Sequence, residues 1–299
     1  MRMDVSQLWE ATDSMEKTAE TAQAVGFFSR DRLRQESVLD RILPPQFVTQ
    51  ADLERNTSDD FPLIRVDKEL DTSAFSLGFH GSAETNWFQG SKYEVLFGQI
   101  RTQEHKKTQE ELMTMRAPVV DYFNRNGVMD IGAQADRIFR KGLDAALASY
   151  SANVIPHGGA TTFTKANAIL ALQALEKGRV PAGAWIVGES RWNDILAMSP
   201  TDLGYAVVGD LAIGGAKKVP TFLGIPVVRT IEAQNTTTAV WSDKLIYLVS
   251  TPDFLGKNFI LTDITYHMKR EYNLLTWASW MVRGAGIANT KAVASVAVA

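Results

Sequence analysis

The residues able to do chemistry are few and scattered in this 299-residue chain, which has four histidines and no cysteine. His80, His105, His157 and His267 lie far apart, and no His-Glu-x-x-His or comparable ligand spacing occurs, so no zinc site is expected from them. Each reads as a surface or structural histidine. The lack of cysteine excludes disulfides, Cys-zinc sites, iron–sulfur clusters and thiol catalysis.

Further stretches invite a catalytic or binding reading and fail it on chemistry. The Gly-rich run Gly204–Gly215, with Gly209, Asp210, Gly214 and Gly215, lacks the Gly-Lys-Ser/Thr ending that places an ammonium and a hydroxyl on phosphate and magnesium. It also lacks dinucleotide-fingerprint spacing, and a surface loop is the better reading. Gly188-Glu-Ser190-Arg-Trp192 begins like a nucleophile elbow but has Trp192 where a second glycine is needed, so Ser190 is expected to cap a helix. Asp59-Asp60 and Glu110-Glu111 sit in polar runs as solvated surface, and Lys106-Lys107 and Lys217-Lys218 lack the aromatic interleaving of a nucleic-acid groove. No enzyme class emerges, and no cofactor or metal is expected.

Composition agrees. At 45% hydrophobic and 22% charged the chain is an ordinary globular one, long enough for two domains or one large one. No run approaches the roughly 20 apolar residues of a membrane span, and the start is too acidic for a secretory signal. The net charge of −3 hides a gradient: residues 1–60 hold 7 basic and 12 acidic side chains, and residues 151–299 hold 13 and 10. The acidic start reads either as a solvated helical tail or as an arm lying on a more basic surface of another copy.

The elements follow from periodicity. Residues 4–25 carry Val5, Leu8, Met15, Ala19, Ala22 and Val25 at helical spacing. Residues 27–60 read as an extended arm with short helical pieces. Alternation around Ile64 and Val66, and the β-rich run Tyr93–Arg101, predict a long β-hairpin with turn signals between. A two-stranded ribbon is marginal alone and should rest on something else. Trp87 and Phe88 near its tip either form a local cluster or anchor on a neighbouring copy. The spacing predicts a helix over Ile131–Tyr150 capped by Asp130, its stripe including Ile138. A second helix follows Thr164 through Ile169, Leu172 and Leu175, exiting at Gly178. Strands are expected at Ala184–Val187, Ile225–Ile231, Ala239–Val249 and Phe259–Tyr272, with Trp277–Val282 extending the last or forming another. Lys291–Ala299 shows no periodic signal. The order implies an α+β body with a mixed sheet.

At residue level, Ala184-Trp-Ile-Val-Gly-Glu189 leads into a helix with Trp192, Asp194 and Leu196. Leu223-Gly-Ile-Pro-Val-Val-Arg229, Val240-Trp-Ser-Asp243, Ile246–Val249 and Ile264–Arg270 follow. Together these stretches, spanning nearly all the chain after residue 27, resemble the major capsid proteins of tailed bacteriophages, which share the Hong Kong 97 fold. The resemblance implies an N-terminal arm over 1–58 and an extended β-hairpin loop over 59–106. It implies a peripheral domain with its spine helix over 107–160, a mixed α/β axial domain over 161–261, and return strands with the tail over 262–299.

It further implies a shell protein with no substrate, assembled in a bacterial cytoplasm and ending in a virion. Its partners would be many copies of itself in hexamers and pentamers, a separate scaffolding protein and a portal, with a decoration protein left open. It would enclose double-stranded DNA without sequence-specific binding and with no membrane. Candidate inter-subunit contacts are Trp9, Phe27, Phe28, Trp87, Phe88, Lys92, Gly209, Asp210, Gly214 and Gly215. Some relatives cross-link a loop lysine to a C-terminal asparagine. Lys92 and Asn289 are the residues to cast so, but no carboxylate lies within Arg283–Ala299 to promote the reaction, and no cross-link is expected. An encapsulin-type compartment on the same fold is the alternative shell, and a soluble enzyme using Gly204–Gly215 the alternative of another class.

Overall fold

In the computed structural model the described residues are 37–54, 62–69, 90–108, 110–111, 119–156, 161–198, 221–230, 240–242 and 244–298. The first half of the chain contributes α1 (Val38–Ile42), β1 (Pro45–Phe47), β2 (Leu63–Asp67), β3 (Lys92–Leu96), β4 (Gly98–Arg101), β5 (His105–Thr108) and α2 (Val119–Ser149). Then come β6 (Val154–Ile155), α3 (Lys165–Lys177), β7 (Ala182–Gly188), α4 (Glu189–Ala197), β8 (Thr221–Phe222) and β9 (Ile225–Thr230). The chain ends with β10 (Leu245–Ser250), α5 (Pro252–Leu255), β11 (Gly256–Glu271), β12 (Leu274–Ile287) and β13 (Val293–Ala297). The result is the expected α+β body. One sheet runs β1-β11-β12-β4 with β5 also on β12, and the other runs β6-β13-β10-β7-β9-β8. Both mix parallel with antiparallel pairs.

The second sheet is buried on both faces. Trp185, Val187, Ile246, Leu248, Ala294 and Val296 point to the side covered by Ala168, Ala171 and Leu175 of α3 and by Trp192 and Ile195 of α4. Their strand neighbours Ile186, Tyr247, Val249 and Val293 point the other way, to Ile131, Ala135, Phe139 and Leu143 of α2. Double burial erases alternation, which is why β13 gave no periodic signal although Val293–Val296 are all buried. Thr164 caps α3 as expected, its hydroxyl accepting the Asn167 N–H. The buried stripe, however, is Ala168, Ala171 and Leu175, and Ile169 is exposed. Nor does Ser190 cap α4: β7 runs straight into the helix through Gly188, which takes the cap position. The Leu-Gly-Ile-Pro-Val stretch closes the sheet edge. Leu223 (φ 52°) and Gly224 (φ 78°) adopt the left-handed pair that a tight hairpin requires, and the Phe222 ring packs tilted against Phe163 and Trp185, with centroids 5.9 Å apart in each pair.

Several sequence expectations move. The long helix starts at Val119, not after Asp130, and runs 31 residues, about 46 Å at 1.5 Å per residue. Asn124, Asn126 and Gly127 are weak helix formers, so propensity hid the first turns. Gly127 sits where the helix crosses β12, and a Cβ there would lie 2.8 Å from the Ser279 hydroxyl. Ile138 is exposed rather than part of the stripe. Tyr93–Arg101 is two strands, β3 on β2 and β4 on β12, because the chain changes partner at Phe97. Strand β10 starts at Leu245, not Ala239; Trp241 instead turns its ring into the core against Phe139 and Tyr247. Trp277–Val282 belongs to a separate strand, β12, which pairs with β11 over nearly its whole length.

The N-terminal segment is bound into this body. Val38, Leu39, Ile42 and Leu43 enter the α2 core, and Asp136 of α2 caps α1. Its carboxylate accepts the Val38 and Leu39 N–H groups at 2.9 Å each and the Ser37 hydroxyl at 3.0 Å. Burial pushes the Asp136 carboxyl above its ordinary range, and these three hydrogen bonds oppose the rise. Arg283 of β12, buried, donates to Asp40 and, at 3.0 Å, to Asn258. The Asn258 amide donates to Asp40 at 3.1 Å and to the Leu43 carbonyl at 3.0 Å. Removing one partner of a buried pair strands the other. Asp40→Ala is therefore expected to lower unfolding free energy by about 3 kcal/mol, the low end for buried pairs since Asp40 is partly exposed. Chemical denaturation checks this, and a loss under about 1 kcal/mol, the value of a surface pair, contradicts it.

Candidate functional site

The most distinctive surface is the two-stranded ribbon, because its base is held by a dedicated seat. β2 and β3 pair from Leu63↔Leu96 to Asp67↔Lys92. On the outer face, Arg65 pairs with Glu94 at 3.1 Å and with Glu54 at 3.3 Å, and Lys92 with Asp67 at 3.3 Å. These exposed pairs hold register and add little stability. The inner face is apolar. Ile64, Val66, Tyr93 and Val95 pack with Phe97, Phe259, Leu261 and Val282.

The seat is Gly284-Ala285-Gly286 in β12. A Cβ on Gly284 would lie 2.7 Å from the Leu96 carbonyl oxygen, and one on Gly286 would lie 2.6 Å from a Val95 methyl. Glycine inside a strand marks such a close backbone approach. The ribbon thus crosses β12 at contact distance.

Lys92 is therefore an ion-pair partner on the ribbon. Asn289 is a cap, its side-chain oxygen accepting the Lys291 N–H at 3.0 Å. The other candidates, Trp9, Phe27, Phe28, Trp87, Phe88, Gly209, Asp210, Gly214 and Gly215, lie outside the described residues. Sequence reasoning missed the Gly284–Gly286 seat, although two glycines two apart in a β-rich run were its signal.

For chemistry, the described residues offer little. His105 on β5 and His267 on β11 flank β12 on opposite sides. Among the described residues no group of three or more His, Asp or Glu could hold a metal, and no helix is long and apolar enough to cross a membrane. A notch between α2 and β12 is lined by Thr102, His105, Asn126, Asp130, Trp277 and Ser279.

No protein-family model and no curated protein matches the sequence. Solved structures do match, along nearly the whole chain. A chain of Microbacterium phage Oxtober96 aligns with a TM-score of 0.63 at 9% identity, over 96% of this chain and 100% of that one. A chain of Mycobacterium phage Adephagia aligns at 0.62 and 12% identity, over 94% and 97%. A chain from the capsid structure of cyanophage P-SCSP1u aligns at 0.58 and 12% identity, over 93% of each. The class follows: this chain carries the Hong Kong 97-like capsid fold.

Gly284→Ala is expected to push against the Leu96 carbonyl and lift the ribbon. A loss of about 1–3 kcal/mol, usual for overpacking, should come with faster amide exchange in β2 and β3 than in β7 or β10. Unchanged exchange in the ribbon contradicts a seat at Gly284.

Proposed function

We propose that this chain is the major capsid protein of a tailed bacteriophage, a structural protein that assembles into an icosahedral shell around double-stranded DNA. The observation that carries the reading is full-length likeness. The fold matches phage chains over nearly their whole length, including one from the mature capsid of bacteriophage PhiM1, at a TM-score of 0.56 and 10% identity. The encapsulin alternative is not favoured, since the similar structures named above are of phages. The enzyme alternative rested on Gly204–Gly215, outside the described residues.

On this reading residues 1–58 are the arm and 59–106 the extended loop, with the seated β2–β3 ribbon as its base. α2 is the spine of the peripheral part (107–160), and 161–261 is the axial part. The return strands of 262–299 are β11 and β12, and β13 supports the axial sheet. The candidate contact residues, from Trp9 to Gly215, would meet neighbouring copies in hexamers and pentamers. A separate scaffolding protein and a portal would complete assembly in the host cytoplasm, and the DNA inside would be confined rather than bound by sequence. A protein of net charge −3 has no excess positive charge with which to hold phosphates.

Sedimentation velocity with a scaffolding protein co-expressed tests the reading. Material many times heavier than the 33.0 kDa chain is expected, and monomers or dimers alone contradict it. Replacing Trp87 and Phe88 together by Ala should cut shell yield by about tenfold or more, as for buried aromatic anchors, with the unfolding midpoint unchanged. An equal loss of monomer stability would place both side chains in a local cluster instead.

A further inference from the structure

Helix α1 is held to α2 by a carboxylate with no cation against it among the described residues. Asp136 is 2% exposed. Its Oδ1 accepts the Leu39 N–H at 2.9 Å and the Ser37 hydroxyl at 3.0 Å, and its Oδ2 accepts the Val38 N–H at 2.9 Å. The charged groups on the surrounding elements are engaged elsewhere. On α2 itself, Arg137 donates to Gln134, and Arg140 donates to the Val240 carbonyl and pairs with Asp144 at 3.6 Å. Arg283 of β12 is on Asp40, and Arg101 of β4 is on Glu104. Lys291 lies over the Tyr150 ring, and Arg229 of β9 over Trp192. Arg41 of α1 is exposed. Among the described residues the charge that reaches Asp136 is that of a second carboxylate, Asp40.

A buried carboxylate cap is ordinarily a weak point in acid. Protonation turns one acceptor oxygen into a donor, and a donor with no acceptor opposite is costly in the interior. Here the group opposite Oδ1 is a hydroxyl, which donates or accepts according to how it rotates. The Ser37 oxygen already receives the Asp40 N–H at 3.4 Å, and its second lone pair is left for a proton on Asp136. Ser37 is half-buried, so its own hydroxyl proton can turn to water.

We propose that Ser37 and Asp136 form an acid-tolerant latch on the N-terminal segment: when Asp136 takes a proton from solvent, the Ser37 hydroxyl rotates to accept it, and α1 stays docked. The hydrogen bond between the two side chains is kept with its direction reversed. The inference goes beyond the shell reading and does not depend on it, since the latch lies within one copy.

The electrostatics run the same way. Burial favours the neutral acid, and the hydrogen bonds from Leu39, Val38 and Ser37 oppose it without cancelling it. Docking α1 therefore raises this carboxyl above its solvated value and takes up a proton. The stabilisation so gained is complete below the ordinary carboxylate range and is lost as pH rises through the raised value. Acid tightens this contact rather than breaking it.

Amide exchange on the full chain, followed from neutral pH down to about pH 4, the ordinary carboxylate value, tests this. In the wild-type chain the Val38 and Leu39 amides should stay protected until β7 and β10 open. Ser37→Ala removes the hydroxyl and leaves the carboxylate. Its protection at Val38 and Leu39 should be about fivefold lower at neutral pH, the scale of one lost cap. Toward about pH 4 it should fall by about fivefold again, the scale of one unmade hydrogen bond, so that α1 opens before β7 and β10. Wild-type Val38 and Leu39 amides that open ahead of β7 and β10 overturn the latch. So does a Ser37→Ala profile that runs parallel to the wild type's, which would make Ser37 an ordinary cap. A chain that never assembles would overturn the shell reading and leave this result standing.

Discussion

The structure turns on one buried arginine. Arg283 sits inside β12 with its guanidinium on Asp40 and Asn258, and Asp40 lies 243 residues away in sequence. A guanidinium out of water is tolerable only when its partners are in place. The native arrangement of the N-terminal segment and that of the long hairpin therefore require each other. Around this joint the β11–β12 hairpin has two different sides. One, through Ile260 and Met281, faces the α1–α2 core. The other, through Phe259 and Val282, carries the ribbon. The sheet is rigid because one side is core, and so it can serve as a platform on the other.

What could be read from sequence was what is local. The base of the ribbon showed in the alternation around Ile64 and Val66, and the α3 cap in Thr164 three residues before Asn167. What escaped reading was set by tertiary contact. The first turns of α2 contain residues that disfavour helix, and one of them, Gly127, is there because β12 passes too close for a side chain. β13 is apolar on both faces and so mimics a featureless tail. The Arg283 joint unites residues that no window of sequence holds together. At the candidate site, Lys92 was read for its chemistry, whereas its position across from Asp67 gives it an ion pair. Gly284-Ala-Gly286 was visible as letters and acquired meaning only when the ribbon was seen to lie on it.

On the proposed reading, a shell protein without cysteine would hold its neighbours by shape, area and charge. The chain has features suited to that. A ribbon leaves the body from a fixed seat, so its direction is set before any neighbour arrives. Beside the exposed Leu96, its outer face carries paired charges, which limit indiscriminate sticking of an exposed two-stranded edge. If the N-terminal segment lies on another copy, the acidic excess of the first 60 residues would complement the slight basic excess of the last half.

The most direct measurement is an electron cryo-microscopy reconstruction of particles formed by this chain, at a resolution that traces residues 62–96. The expected result is a closed shell in which each ribbon leaves its Gly284–Gly286 seat and runs over an adjacent copy. A ribbon folded back over its own sheet, or a reconstruction of isolated subunits, would contradict it.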